Sequence, residues 1–189
     1  LVEKISSIPT AEQKIASEPA TEPTPTPTPS PTQPPSTAPA QTQRINGVDE
    51  KLVKVVTQIE SSGKTDATHL DKDGQSSVGL MQIRPDTARQ YDKTLKGLTN
   101  KQVGEKLKDP DYNVKLGTTI LKDLSGKYDG DLNKTIAAYN GGPGANEKSI
   151  NCPGSLRWQC EWDNNAHTKA NTGYKVTRDY IAKVNKYYK

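Results

Sequence analysis

The chain has 189 residues, of which 31% are hydrophobic, 5% aromatic and 25% charged, and its formal net charge is +4. This length predicts about one domain, and the mild positive charge favours anionic polymers over acidic partners in general. No dense Arg/Lys stripe interleaved with aromatic residues occurs, so nucleic-acid binding is not expected. No apolar run is long enough for a membrane-spanning helix.

The N-terminal part differs in composition from the rest of the chain. Residues 19–44 alternate Thr and Pro and contain almost nothing to bury. Because proline fixes φ and lacks an amide proton, we predict an extended Pro/Thr-rich linker there, within a disordered segment over residues 1–44. This linker is either a tether or a plain disordered tail. We expect residues 45–189 to form the folded domain. The first residue, Leu1, is consistent with a removed export signal or with another chain boundary.

The first predicted helix follows Gly47. Apolar residues over 48–59 repeat with helical spacing, and Asp49 is favourable near the positive end of a helix dipole. Gly63 is a candidate stop. Glu60 directly follows the last apolar position, so we expect its carboxyl at the helix end, on the edge of the core.

A small β-hairpin or irregular loop is predicted over residues 69–79, with turn chemistry at Asp73-Gly74. Residues 71–74 resemble part of a calcium loop but lack a further ligand and the glutamate that completes the pattern. The chain has two isolated histidines, His69 and His167, and no common nucleotide or metal motif. We therefore expect neither a metal ion nor a cofactor.

Five further helices are predicted, and the segment after Asp111 carries a run of apolar residues typical of one. Asp111 is a candidate N-cap and Gly126 a candidate stop for one of them. The predicted ranges are 85–91, 99–107, 111–126, 131–140 and 173–188. The expected fold class is therefore mainly α (α+β), with about six helices and a small β-hairpin.

Two cysteines, Cys152 and Cys160, lie eight positions apart in a loop-like segment. The spacing is not the CxxC of metal sites, so a disulfide is favoured over two free thiols. Such a bond would imply an oxidising compartment.

Several polar residues occupy positions that folding alone does not require. Glu60 ends an apolar helix, Gln82 interrupts an apolar run, and Tyr139-Asn140 precedes a glycine-rich loop. Each has a structural alternative: a solvated glutamate, a glutamine bonded to loop backbone, and an ordinary C-cap for Asn140.

In their order and spacing these segments resemble the soluble lytic transglycosylase family, from about Val48 to Tyr188. The matching strings are Ile59-Glu60-Ser61, Gly79-Leu80-Met81-Gln82-Ile83 followed by Pro85 and Thr87-Ala88, Ala137-Ala138-Tyr139-Asn140-Gly141, and Thr177-Arg178-Asp179-Tyr180-Ile181-Ala182-Lys183-Val184. Members often carry a glutamate where this chain has Val176. The loop over 71–77 is closer to the specialised transglycosylases of secretion and conjugation systems.

The resemblance implies a lysozyme-like fold with Glu60, the catalytic acid and then base, facing a cleft. It implies that Gln82, Tyr139, Asn140 and Tyr180 bind the sugar. The implied reaction is non-hydrolytic cleavage of the β-1,4 bond between N-acetylmuramic acid and N-acetylglucosamine, which leaves 1,6-anhydro ends. The implied partner is peptidoglycan, and a cell-envelope or secretion/transfer apparatus is a further candidate. The resemblance also implies an extracytoplasmic monomer that needs no cofactor.

Two other functions stay open. A hydrolytic lysozyme on the same fold differs only in that water attacks, and a non-catalytic glycan-binding or secretion-scaffold module would lack the acid. Residues 145–171 match no family motif; Trp158 and Trp162 there are either a sugar-stacking surface or, as favoured, core around the disulfide. No second catalytic carboxylate is expected, because the acidic residues that follow Glu60 lie in polar turns: Asp66, Asp71 and Asp73.

Overall fold

The computed structural model describes residues 42–70, 74–163 and 174–189. The predicted N-terminal segment up to residue 41 lies outside these ranges, as do Asp71, Asp73 and His167, so the domain boundary and the judgement on the calcium-like loop stay predictions. Within the described ranges, no helix is both long and apolar enough to cross a membrane.

The described residues form six α-helices, two 3-10 helices and two two-stranded antiparallel sheets. In chain order the elements are β1 Arg44–Ile45, β2 Val48–Asp49, α1 Glu50–Ser61, β3 Thr68–Leu70, β4 Ser76–Val78, α2 Pro85–Tyr91, α3 Asn100–Leu107, α4 Pro110–Lys127, α5 Leu132–Gly141 and α6 Lys175–Tyr188, with 3-10 helices at Lys93–Leu95 and Pro143–Asn146. The expected mainly α (α+β) fold is confirmed. The hairpin predicted over 69–79 is confirmed as β3 and β4.

A second, unpredicted hairpin precedes α1. Ile45 pairs with Val48, and the turn residues Asn46 and Gly47 have φ values of 51° and 86°. Two successive positive φ values define the type I′ turn that Asn-Gly favours. The helix predicted to start after Gly47 was therefore wrong for Val48 and Asp49, which form β2.

Helix α1 has Asp49 at its N-terminal end, as expected, and ends one residue before its predicted stop. Asp49 is its N-cap and accepts a hydrogen bond from the backbone N of Lys51 at 2.8 Å. At the other end the chain leaves the helix at Ser62, which has φ 54°, one residue before the predicted stop at Gly63. Glu60 consequently lies in the last turn of α1, as expected.

Helix α4 begins earlier than predicted. Its N-cap is Asp109, whose carboxylate accepts from the backbone N of Tyr112 at 2.7 Å, so the assignment of the cap to Asp111 was wrong. Pro110 occupies the first helical position, where its missing amide proton has no cost. Gly126 lies inside the last turn rather than beyond it.

One hydrophobic core receives side chains from every helix. Helices α1 and α5 both pack against α6, and α4 packs against α5. Buried members of this core include Val56 of α1, Ala88 of α2, Val103 of α3, Leu121 of α4, Ile136 of α5 and Val184 of α6. This packing brings the C-terminal end of α1, with Glu60, beside α5 and α6.

Candidate active site

Glu60 is a half-buried carboxyl at the end of α1. Burial raises its pKa from 4.5 to about 7, and a hydrogen bond with the Tyr180 side chain opposes this by lowering the pKa. The desolvation that accompanies burial disfavours the charged form of a carboxyl. At neutral pH a large fraction of Glu60 is therefore protonated and able to donate a proton.

Tyr180, in α6, is buried and faces Glu60. Its hydroxyl interacts with that carboxyl through a hydrogen bond of loose geometry and has no well-formed hydrogen bond to any described residue. Burial, followed by the nearby Glu60 charge, raises the pKa of Tyr180 well above 10. The hydroxyl thus keeps its proton at any physiological pH and has capacity for a further polar contact.

Tyr139, in α5, is half-buried and lies near the same carboxyl. Its hydroxyl donates to the backbone oxygen of Met81 at 2.8 Å. Burial, and to a smaller degree the charge of Glu60, raises the pKa of Tyr139 well above 10. Tyr139 therefore joins α5 to the segment that carries Gln82 while keeping a hydroxyl close to Glu60.

Gln82 is held in an unusual backbone conformation, with φ 48°. Its amide nitrogen donates to the backbone oxygens of Ala67 at 3.0 Å and Gly79 at 2.8 Å. This is the loop-bonding alternative considered for Gln82, and it uses both amide protons. Any sugar contact of Gln82 would have to use its side-chain oxygen.

Asn113, in α4, is a buried residue that the sequence analysis missed. Its amide nitrogen donates to the backbone oxygens of Val78 at 3.0 Å and Leu107 at 2.8 Å, and its oxygen accepts from the backbone N of Met81 at 2.8 Å. All three bonds are buried; those to Val78 and Met81 fix the turn that carries Gln82, and the bond to Leu107 fixes the end of α3. The available signal was the place of Asn113 on the apolar face of α4, one turn before Leu116.

Asn140 lies half-buried in the last turn of α5. The C-cap of this helix is Gly142, with φ 80°, so the ordinary C-cap interpretation of Asn140 was wrong. Its side-chain amide makes no hydrogen bond to the described residues. Asn140 is therefore available to a ligand on the same helix end as Tyr139.

No other carboxyl contributes to the pKa of Glu60 among the residues that the structure describes. Asp66 is exposed, and Asp71 and Asp73 lie outside the described ranges. Within those ranges no group of three or more His, Cys, Asp or Glu side chains could hold a metal ion. The described site thus offers one acid beside two tyrosine hydroxyls.

The predicted disulfide between Cys152 and Cys160 is confirmed, with a Cα–Cα distance of 5.7 Å. Trp158 is half-buried and packs against the core, as favoured. Trp162 is 75% exposed, so its assignment to the core was wrong.

The family model for the transglycosylase SLT domain matches residues 38–157, which is more than half of the chain. The chain belongs to this family. Of the residues discussed above, Glu60, Gln82, Asn113 and Tyr139 lie inside the matched range of the SLT domain. Tyr180 lies beyond it.

Two curated relatives are similar over part of the chain. The membrane-bound lytic murein transglycosylase E of Buchnera aphidicola (Acyrthosiphon pisum) is 35% identical over 92 residues, covering 49% of this chain and 40% of that protein. The invasion protein IagB of Salmonella typhimurium is 30% identical over 110 residues, covering 58% of this chain and 65% of that protein. The chain therefore matches less than two thirds of each relative's length.

Among solved structures, an inactive mutant of the lytic transglycosylase Slt from Pseudomonas aeruginosa has the same fold. The TM-score is 0.51 at 24% identity, covering 76% of this chain and 21% of that one. At this identity the similarity supports the lysozyme-like SLT fold.

Proposed function

We propose that this chain cleaves peptidoglycan glycan strands as a lytic transglycosylase, with Glu60 as its single acid and base. The observation that carries the proposal is the half-buried Glu60 carboxyl, whose pKa is raised to about 7 beside the hydroxyls of Tyr139 and Tyr180. A general acid works best when its pKa lies near the working pH. Membership in the SLT family and a relative named as a lytic murein transglycosylase support the same conclusion.

In the first step, protonated Glu60 donates its proton to the glycosidic oxygen between N-acetylmuramic acid and N-acetylglucosamine. The bond from the muramyl anomeric carbon to that oxygen breaks, and the N-acetylglucosamine side leaves as an alcohol. Most glycosidases stabilise the resulting positive charge with a second carboxylate. Here the substrate's own N-acetyl oxygen takes that role, as in substrate-assisted enzymes.

In the second step, the Glu60 carboxylate accepts the proton of the muramyl C6 hydroxyl. The C6 oxygen forms a bond to the anomeric carbon and yields a 1,6-anhydro ring, and Glu60 regains its proton. No water is consumed and no charge remains. One residue thus acts as acid and then as base, which fits a site where no other carboxyl influences Glu60 among the described residues.

The neighbouring side chains have separate roles in the proposal. Tyr180 hydrogen bonds the Glu60 carboxylate after proton donation and positions the acetamido group. Asn140 contacts sugar hydroxyl or amide groups, because its amide has no partner among the described residues. Gln82 contributes through its side-chain oxygen, and Tyr139 holds the Gln82 segment in place.

The proposal includes an extracytoplasmic location. The disulfide requires an oxidising environment, and the substrate lies outside the cytoplasm. The curated relative from Buchnera is named as membrane-bound, which agrees with action at the cell envelope.

Mass spectrometry of the products from purified sacculi tests the reaction. We expect muropeptides with 1,6-anhydro ends, which are lighter by one water than reducing ends. Reducing ends alone would show a hydrolytic lysozyme on the same fold. Binding without any cleavage would show a non-catalytic glycan-binding module.

A further inference from the structure

The segment over residues 147–163 is a loop braced at several points. The disulfide joins Cys152 to Cys160, and Cys160 is buried. The Asn151 amide donates to the Asp163 carboxylate at 2.6 Å and to the backbone oxygen of Trp162 at 3.4 Å. Lys148 and Leu156 form an isolated β-bridge. The backbone of Trp162 is therefore fixed by the disulfide at Cys160 before it and by the bonds of Asn151 to Trp162 and Asp163.

This loop presents two large apolar side chains to solvent. Trp162 is 75% exposed and Ile150 is 92% exposed. Asn151 brings their backbones close together, because it adjoins Ile150 and bonds the Trp162 carbonyl. By contrast, Trp158 on the same loop is half-buried against the core. Trp158 therefore packs against the core, whereas Trp162 of the same loop stays on the surface.

The loop is attached to α6 through one arginine side chain. Arg178 donates to the backbone oxygens of Trp158 at 3.1 Å and Cys160 at 3.2 Å. Tyr180, which faces Glu60, follows Arg178 by two residues and thus lies about 200° around the helix from it. The loop that carries Trp162 is therefore attached to a different face of α6 from the one that carries Tyr180.

We propose that Trp162 is a second glycan-binding site, at which a sugar ring of the peptidoglycan strand stacks on the exposed indole. Ile150 is a second exposed apolar side chain on the same loop. The flat indole matches the apolar C–H face of a pyranose ring, and a braced backbone reduces the ordering entropy that binding must overcome. The inference rests on the proposed function in one respect, which is the choice of peptidoglycan as the polymer that binds. Trp162 lies beyond the residues matched by the SLT model.

A sugar ring fits this surface better than a folded protein does. One tryptophan buries on the order of 200 Å² on contact, which is far below the ~800 Å² per partner of a standard protein interface. A glycan strand instead presents many pyranose rings in series. A weak contact at Trp162 would therefore raise the local concentration of strand near Glu60 by avidity.

The test measures binding of the full chain to purified sacculi in a Glu60→Gln background, so that no cleavage occurs. We expect Trp162→Ala to weaken binding about tenfold, and Trp162→Tyr to retain most of it because an aromatic face remains. Tyr187→Ala is the matched control, since Tyr187 is a 57% exposed aromatic in α6, and it should leave binding unchanged. The melting temperature of Trp162→Ala should match that of its parent.

A second arm compares intact sacculi with glycan strands from which an amidase has removed the peptides. Sugar stacking predicts the same loss for Trp162→Ala on both polymers. A loss on intact sacculi alone would assign Trp162 to the peptides and overturn the proposal, as would unchanged binding to both. Altered self-association with unchanged glycan binding would show a protein interface instead. Both measurements are of binding and need no turnover. The inference about Trp162 therefore stays valid even if the parent chain does not cleave the glycan strand.

Discussion

Gly79 and Asn113 pack so closely that no side chain fits between them. A Cβ built on Gly79 would overlap the Asn113 amide nitrogen and the backbone oxygen of Leu107. Gly79 also has φ 83°, a conformation that side chains rarely adopt. The turn that carries Gln82 and binds Tyr139 therefore needs a residue without a side chain at position 79.

Gly79→Ala should destabilise the fold by more than about 3 kcal/mol, since steric overlap in the core adds to backbone strain. Gly63→Ala is the matched control, because Gly63 has φ 78° but no atom within reach of a new Cβ. Its cost should be about 1–2 kcal/mol. Urea unfolding of both variants measures the difference, and equal losses would show that the Asn113 contact does not matter.

Tyr180→Phe should move the alkaline limb of the pH–activity profile upward. The Tyr180 hydrogen bond lowers the pKa of Glu60, so its removal raises that pKa above about 7, by up to about one pH unit. Turnover should fall as well, because the carboxylate loses its partner after proton donation. The profile of kcat/KM against pH reports this limb. Tyr187→Phe should leave the limb in place, and an unmoved or lowered limb in Tyr180→Phe would refute the assigned contact.

Glu60→Gln should stabilise the fold in a pH-dependent way. The folded pKa of Glu60 lies near 7, above its ordinary value of 4.5, so folding disfavours the charged form. The destabilisation is absent below about pH 4.5, grows between 4.5 and 7, and is complete above 7. At about 1.4 kcal/mol per pH unit, the gain from Glu60→Gln should increase by up to about 3 kcal/mol across this window. Unfolding measured at pH 4.5 and 7.5 checks this, and a gain that shrinks with pH would contradict it.

Arg178 and the disulfide should stabilise the same loop. Arg178→Ala leaves the backbone oxygens of Trp158 and Cys160 without this donor, at a cost of about 1–3 kcal/mol. Replacing Cys152 and Cys160 with serine should cost about 2 kcal/mol. Because both changes loosen one segment, their combined effect should be smaller than the sum. A double-mutant cycle by urea unfolding measures this, and simple additivity would show that the two act independently.

The helices were predictable because each carries its own local pattern. Apolar spacing located α1 and α4, and the position of Glu60 after the stripe of α1 followed from the same pattern. Some errors came from signals that were present but not used. The Asn46-Gly47 dipeptide marks a type I′ hairpin, and Asp109 before Pro110 marks a helix start.

Other features could not be predicted because they depend on contacts between distant segments. Two hydrogen bonds of Asn113 join α4 to a turn more than 30 residues earlier in the chain, and no local pattern encodes their geometry. The exposure of Trp162 beside a half-buried Trp158 likewise follows from how one loop packs on α6. The raised pKa of Glu60 depends on burial in the folded chain, which residues near Glu60 in the sequence do not reveal.

The most direct test of the central claim compares two carboxyl-to-amide variants on purified sacculi. Glu60→Gln keeps the side-chain shape but removes the acid, and Asp66→Asn makes the same change at an exposed carboxyl six residues later. We expect Glu60→Gln to lower the rate of muropeptide release by about 10²–10⁴-fold, the usual contribution of a general acid, while Asp66→Asn leaves it unchanged. Release by Glu60→Gln at the parent rate would contradict the assignment of Glu60 as the catalytic acid and base.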